Sequence, residues 1–535
     1  MSTAPLLVVN GRLWDGVPLA HDALCAVDDR IVALGTTAGL RERFGSSRDA
    51  TVIDAAGSSV TPGLCDAHIH LLAWARSQSE VALLGSKSRA EALARVTAFL
   101  AERPGTGVIV GRGWEASTWR EPPERAALDA LAADRPVLLH SKDFHTLWVN
   151  GAALRAAGVS RHTPDPEGGV IERDATGEPT GILRENAVRP FERLQADAGL
   201  AAGSEDAQLA AAARALHALG ITQVHDFERG KVTLHAMRRF ATGTGPRVRV
   251  LQSLGLPELE RALEMGLESG IGDDWFRIGH IKLFADGTLG SRTAAMLEPY
   301  EGTTDLGLET LTPAEVREMV GRAARGGLAV AIHAIGDRAC RTALDAFSAA
   351  GNALRVPSLP PRIEHAQLVA EGDLSRFAAL GVAASMQPVH CVSDAAQARL
   401  GWGKRCAGSY AWRTLLDRGA LLAFGSDAPV ESPAPGAALE AALTRRDEHG
   451  APFFPGQCID LDQALAAYTR GPALLAGAAG RLGTLAPGAA ADVVVWDRDL
   501  HRTPANRLHE AGASCTVVGG QVVHGAGRAA APARR

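Results

Sequence analysis

The sequence predicts an α/β protein: a (β/α)8 TIM barrel with a small β-sandwich domain built from both chain termini and a large insertion after barrel strand 1. Three observations lead there. Eight short apolar segments each end in polar residues, amphipathic helical stretches separate them, and β-rich, turn-punctuated segments are confined to the two ends of the chain. At 535 residues the chain is also too long for one compact core.

The elements follow in order. Over residues 1–60, LLVVNGRLWDG, ALCAVDDRIVALG and TVIDAAGSSVTPG are short alternating segments closed by Gly, Asp or Asn, as at hairpin turns. Residues 481–525, with GTLAPGAAADVVVWDRDL and SCTVVGGQVVHG, read the same way. Neither end alone supplies enough strands to be stable, so 1–60 and 481–525 are expected to form one composite sandwich. The barrel takes residues 61–74 and 204–480. Its strands are read in VTPGLCDAHIH, ITQVHDF, RVRVLQSL, RIGHIKLFADG, LAVAIHAIG, RIEHA, VAASMQPVH and LLAFGSDAP. Intervening stretches such as TPAEVREMVGRAARGG carry helical spacing and end in Gly.

Residues 75–203 interrupt the barrel after its first strand, on the side where barrel enzymes place their chemistry. Trp74, Trp114, Trp119 and Trp148 lie within or beside this insertion, with Phe144 and His145. They are read as a lid shaping a partly apolar pocket, in which Trp114 and His145 would meet substrate; the alternative is a purely structural addition. Residues 526–535 are small and basic and are expected to be a disordered tail.

Composition narrows the function classes. The chain is 46% hydrophobic and 21% charged with a formal net charge of -5, which leaves no basic stripe for nucleic acid. The N-terminus lacks a basic, then apolar leader, and no run of about 18 apolar residues occurs, so no membrane association is expected. Seven dispersed cysteines without a C-x-x-C pair fit a reduced, cytoplasmic setting.

Chemistry-bearing residues gather at the C-terminal ends of the expected strands: His68 and His70 on the first, Lys282 on the fourth, His333 on the fifth, His365 on the sixth and Asp427 on the eighth. In H-x-H on a strand both imidazoles face one side, giving a metal two nitrogen ligands. One such pair is weak evidence. Six convergent residues on one barrel are far more specific. Lys282 by itself reads as a salt bridge or substrate anchor, because a protonated ammonium is no ligand. His225 and His390, ending the second and seventh strands, could line the same mouth or support neighbouring groups; Arg292, in the loop after Lys282, could bind a substrate carboxylate or pair with an acidic neighbour.

These residues, with GRGWE, LLHSKDFHTLWVNGAAL, IKLFADGTLGSRTAAM, IHAIGDRA, RIEHAQ, AFGSDAPVESP and GTLAPGAAADVVVWD, resemble the amidohydrolase superfamily, and within it amidohydrolase family 3, the group that includes enzymes similar to N-substituted formamide deformylase. The likeness covers nearly the whole chain. It implies a metal-dependent hydrolase that cleaves an amide, formamide or related C–N bond with a metal-activated hydroxide and Asp427 as general base and then acid. It further implies a one- or two-metal centre: in the two-metal form His68, His70 and Asp427 hold one metal, His333 and His365 the other, and a CO2-derived carbamate on Lys282 bridges them, while the alternative is a mononuclear site with Lys282 held nearby. Imidazole and carboxylate ligands make Zn2+ the default metal, with Fe or Mn also fitting. A small-molecule amide-like substrate would be the partner, and a homodimer is compatible with the sequence. The rival readings are a mononuclear deaminase or lactonase on the same barrel and a non-catalytic scaffold relative.

Overall fold

The computed structural model describes residues 4–45, 50–116, 119–142, 146–195 and 204–525, so Phe144, His145 and the 526–535 tail lie outside the described residues. The chain divides into two compact units, one formed by the residues up to Leu71 together with those from Ala210 onward, the other by Leu72–Leu209. Among the described residues no helix is long and apolar enough to cross a membrane.

The first unit contains an eight-stranded parallel sheet in strict sequence order: β1 (Leu64–Ile69), β2 (Ile221–Asp226), β3 (Arg249–Gly255), β4 (Phe276–Phe284), β5 (Val330–Ala334), β6 (Arg362–His365), β7 (Ala383–Met386) and β8 (Leu422–Phe424). Nearly every residue of these strands is buried, as expected when a barrel packs side chains inside and helices outside. The helix Pro313–Arg325 is one of those outer layers. Thr312 and Glu315 form its capping box, and Val316, Val320, Ala323 and Ala324 make its buried stripe.

The sheet closes between β8 and β1 just beyond the end of β8. There Asp427 N–H donates to the His68 carbonyl at 2.7 Å and His70 N–H donates to the Ala428 carbonyl at 2.9 Å. Gly425 permits this approach, since a Cβ there would stand 2.3 Å from His68 N. The closing seam of the barrel thus runs through His68, His70 and Asp427.

Beside the barrel lie two further sheets. The four-stranded one is wholly N-terminal, in the order Arg30–Gly35, Ala23–Val27, Leu6–Val9, Thr51–Asp54. The five-stranded one mixes both ends of the chain: Arg12–Leu13 and Ser59–Pro62 join Val493–Trp496, Ala513–Val518 and Gln521–His524. Leu6, Val8, Leu24, Ile53, Val493, Val495 and Val517 form the core they share. The alternate residues Leu7 and Val9 instead pack with Leu40 of the helix Thr37–Phe44. The last hairpin turns on Gly519 and Gly520, whose φ values of 53° and 75° suit the two-residue turn that hairpin twist demands.

The second unit is built on a six-stranded mixed sheet with Val137–Ser141 and Thr146–Val149 at its centre. One face buries Trp114, Trp119 and Trp148 with Val137 and Leu139; the other buries Leu138, Leu147, Leu183 and Phe191. The ring centroids of the three tryptophans lie 6.1 to 6.3 Å apart. Trp114 donates its indole N–H to the Leu139 carbonyl at 2.8 Å. This corrects the expectation that Trp114 lines a substrate pocket: it is 5% exposed, fully partnered and part of this unit's core.

Candidate metal centre

At the seam, β1 presents His68, and His70 follows one residue past its end, with ring centroids 5.8 Å apart. Asp427 Oδ1 lies 3.5 Å from Nε2 of each. His365, closing β6, brings its ring to 5.0 Å from His68 and 4.5 Å from His333 on β5. One ligand atom each from His68, His365 and Asp427 lies within 4.8 Å of the others. His365 and Asp427 both hold left-handed backbone, with φ of 73° and 61°. Non-glycine residues adopt that conformation at a cost and concentrate at functional positions.

The outward nitrogens of these rings meet acceptors. His68 Nδ1 is 2.5 Å from Glu364 Oε2, His365 Nδ1 is 2.8 Å from Gln387 Oε1, and His333 Nε2 is 3.0 Å from the Gly287 carbonyl. His70 Nδ1 faces Glu228 Oε2 at a longer 3.9 Å. A ring that donates one N–H to such an acceptor carries its lone pair on the other nitrogen, which is how metal-binding histidines are held. Nε2 of His68, Nε2 of His365 and Nδ1 of His333 are therefore the ligand-competent atoms.

Protonation agrees with this. Burial, aided by the Lys282 charge, lowers the pKa of His68 to about 4 and that of His333 to about 3. Burial and the His333 charge hold His365 well below its ordinary value. All three are neutral near pH 7, the form that binds metal. For His70 and His390 burial also disfavours the charge, but the adjacent Asp427 carboxylate outweighs it and both are raised.

Lys282 is 2% exposed, and its Nζ has no hydrogen-bond partner among the described residues. It stands 4.5 Å from the Phe227 ring and 5.2 Å from Phe284. Burial lowers its pKa to about 8, against the pull of Glu364 and Asp427. A buried amine with apolar neighbours and no acceptor is poised to lose its proton. The donor set fits divalent metal: three neutral imidazoles, a fourth beside Asp427, one carboxylate and an amine that can be made anionic.

Other expected residues fall differently. His225 is fully buried; its Nδ1 accepts from Arg362 Nη1 at 2.9 Å and its Nε2 lies 3.3 Å from Gln223 Nε2, so it belongs to the packed barrel interior and not to the substrate-facing mouth. His390 is not the end of β7, because Pro388 starts a short helix, Pro388–Ser393, that carries it to 3.3 Å from Asp427 Oδ2. Arg292 sits exposed in the loop after β4 with φ of 58°. In the same loop Asp286 is buried and accepts backbone N–H bonds from Ala295, Ile335 and Gly336 at 2.8 to 3.0 Å.

Sequence reasoning passed over Glu364, Glu228, Gln387, Asp66 and Arg229. Glu364 and Arg362 had a usable signal: two charges inside a four-residue buried strand are costly unless paired. Asp66 accepts from Ser426 N–H at 2.9 Å, Ser426 Oγ–H at 2.5 Å and His68 N–H at 3.1 Å, pinning the seam from below. The Arg229 guanidinium lies 4.8 Å over the Phe284 ring.

A (β/α)8 barrel with histidines and an aspartate converging at the C-terminal ends of its strands has the architecture of the metal-dependent hydrolases. The chain belongs to the amidohydrolase family, whose model matches residues 51–524. It is 31% identical to the amidohydrolase-family protein YtcJ of Bacillus subtilis, over 94% of this chain and 96% of that one. It is 28% identical to the N-substituted formamide deformylase of Arthrobacter pascens, over 96% and 97% respectively. The crystal structure of a metal-dependent hydrolase from Pyrococcus furiosus superposes with a TM-score of 0.73 at 29% identity, covering 92% of this chain and 98% of that one.

Proposed function

We propose that the protein hydrolyses an amide, formamide or related C–N bond of a small molecule at a centre of two divalent metals, zinc by default. The observation that carries this reading is the convergence of His68, His365 and Asp427 ligand atoms within 4.8 Å, with His70 and His333 adjoining. Likeness to a formamide deformylase along almost the whole chain supports the C–N bond. His68, His70 and Asp427 would hold one metal and His333 and His365 the other. When bound, such metals lower the pKa of a coordinated water and polarise the scissile carbonyl.

The chain's own groups do the rest. The Lys282 amine, once neutral, would add to the carbon of CO2 and release a proton to solvent, and the resulting carbamate would supply an anionic ligand to the metal centre. Asp427 directs Oδ1 toward His68 and His70 and Oδ2 toward His390. Burial alone would raise its pKa, but the His390 hydrogen bond and the surrounding imidazoles hold it well below its ordinary value, so it is ionised, the form in which it would take the attacking water's proton. It then returns that proton to the leaving nitrogen. General acid–base assistance of this kind is worth about 10²- to 10⁴-fold.

Elemental analysis should find about two divalent metals per chain, and chelation should abolish turnover of a panel of N-formyl, N-acyl and cyclic amides. Full activity in metal-free protein would sink the reading, and a single tightly held metal would move it to the mononuclear rival. Asp427→Asn keeps an oxygen near the metal but cannot take the proton, so kcat should fall at least about 10²-fold with KM little changed. Wild-type kcat in that variant would make Asp427 a ligand only.

A further inference from the structure

The R-I-E-H run of β6 contains one expected ligand, His365, and two charges without a role in the reaction above, Arg362 and Glu364. Both are 0% exposed and paired to each other, Arg362 Nε with Glu364 Oε1. The second carboxylate oxygen, Oε2, lies 2.5 Å from His68 Nδ1. The guanidinium is anchored on three other strands: Nη2 donates to the Ala67 carbonyl on β1 at 2.7 Å and to Ser385 Oγ on β7, and Nη1 donates to His225 Nδ1 on β2 at 2.9 Å.

We infer that Glu364 is a positioning residue that fixes which nitrogen of His68 carries the proton, with Arg362 as the buried counter-charge that fixes Glu364. The inference rests on the metal-hydrolase reading. The Phe227 ring stacks on His68 at 4.3 Å with an interplanar angle of 19°, so the imidazole plane is already set. What remains open is the tautomer. With the carboxylate accepting from Nδ1–H, Nε2 keeps its lone pair toward Asp427 Oδ1, 3.5 Å away. Without that acceptor the proton can sit on Nε2 instead, where the same aspartate oxygen attracts it, and the ligand atom is lost. A mere buried ion pair would also stabilise the fold, but it would not select a tautomer.

The test uses the full chain and Glu364→Gln, which keeps the shape but offers His68 either a carbonyl oxygen or an amide N–H. Zinc affinity by chelator competition should fall about 10- to 100-fold. In metal-free protein labelled with 15N-histidine, the His68 signal, assigned by its loss in His68→Asn, should be the Nδ1–H tautomer in wild type and should shift toward Nε2–H in Glu364→Gln. Unaltered zinc affinity and tautomer in a folded variant would overturn the inference. Should the variant fail to fold, the wild-type tautomer still decides: an Nε2–H His68 overturns the role of Glu364. Wild-type protein with the Nδ1–H tautomer but no affinity for zinc would instead overturn the hydrolase reading.

Discussion

Lys282 is a buried amine whose Nζ has no hydrogen-bond partner among the described residues. Its ordinary pKa near 10.5 falls to about 8 through burial, so at pH 7 about a tenth of the amine is neutral where an exposed lysine would have well under a thousandth. The neutral fraction grows as pH rises through 8. At fixed dissolved CO2, reactivation of decarbonated protein with added zinc should therefore be faster at pH 8.5 than at pH 7; a rate independent of pH would count against the carbamate. Lys282→Ala should lose most activity and regain part of it with small carboxylic acids, whereas Lys282→Arg, still cationic, should regain none. At this scale the convergence of these side chains was the legible part, because histidine, lysine and aspartate at strand ends differ from the apolar background. Their supports were not. Glu364 and Gln387 act across the barrel on rings from other strands or on a neighbouring strand's end, and one sequence carries no record of that distance.

Among elements, the eight strands were legible because each is a short apolar run that stops at polar residues, and all eight expected segments contain one. The sandwich was legible in outline only. Its four-stranded sheet draws on the N-terminal segment alone, while the five-stranded sheet mixes both ends, because pairing partners depend on which edges meet and not on strand propensity. The closure of β8 on β1 was not legible either, since it lies past the strand in Gly425–Ala428, where no periodicity remains. Asp66 holds that closure. Asp66→Ala strands three buried donors, His68 N–H, Ser426 N–H and Ser426 Oγ–H. At about 1–3 kcal/mol for each unsatisfied group, the cost should reach roughly 3 kcal/mol or more. Urea unfolding of metal-free protein measures it. Asp66→Asn, which retains one carbonyl oxygen, should lose less, and equal losses would place the effect elsewhere.

For the whole molecule, the buried imidazoles impose a pH signature on stability. In metal-free protein, burial and neighbouring charges depress His68 to about 4 and His333 to about 3, burial and Arg362 depress His280 to about 3, and His225 and His365 lie well below the ordinary 6.5. These rings are neutral in the fold but protonate in the unfolded chain, so their stabilisation is complete above about 6.5 and is lost as pH falls toward 3. Asp66, Asp226 and Asp286 act in the opposite sense. Burial raises each to about 7, so their contribution is complete below the ordinary 3.8 and fades as pH rises through 7. Between pH 6.5 and 4 the two sets oppose: His140 and His217 join the lowered histidines, while Asp337 and the raised His70 and His390 act with the aspartates, and the lowered rings, seven against six raised groups, are expected to prevail. Below about 4, Glu364 and Asp427, both held well under their ordinary values, add their own losses. The urea midpoint of chelated protein should therefore decline from pH 7 to 5 and drop more steeply below 4. A midpoint that rises on acidification to pH 5 would mean that the buried aspartates, and not the buried histidines, set the balance. Saturating zinc should raise the midpoint at pH 7 by mass action and lose that effect in acid as protons compete for the imidazoles, which separates the metal site from the rest of the fold.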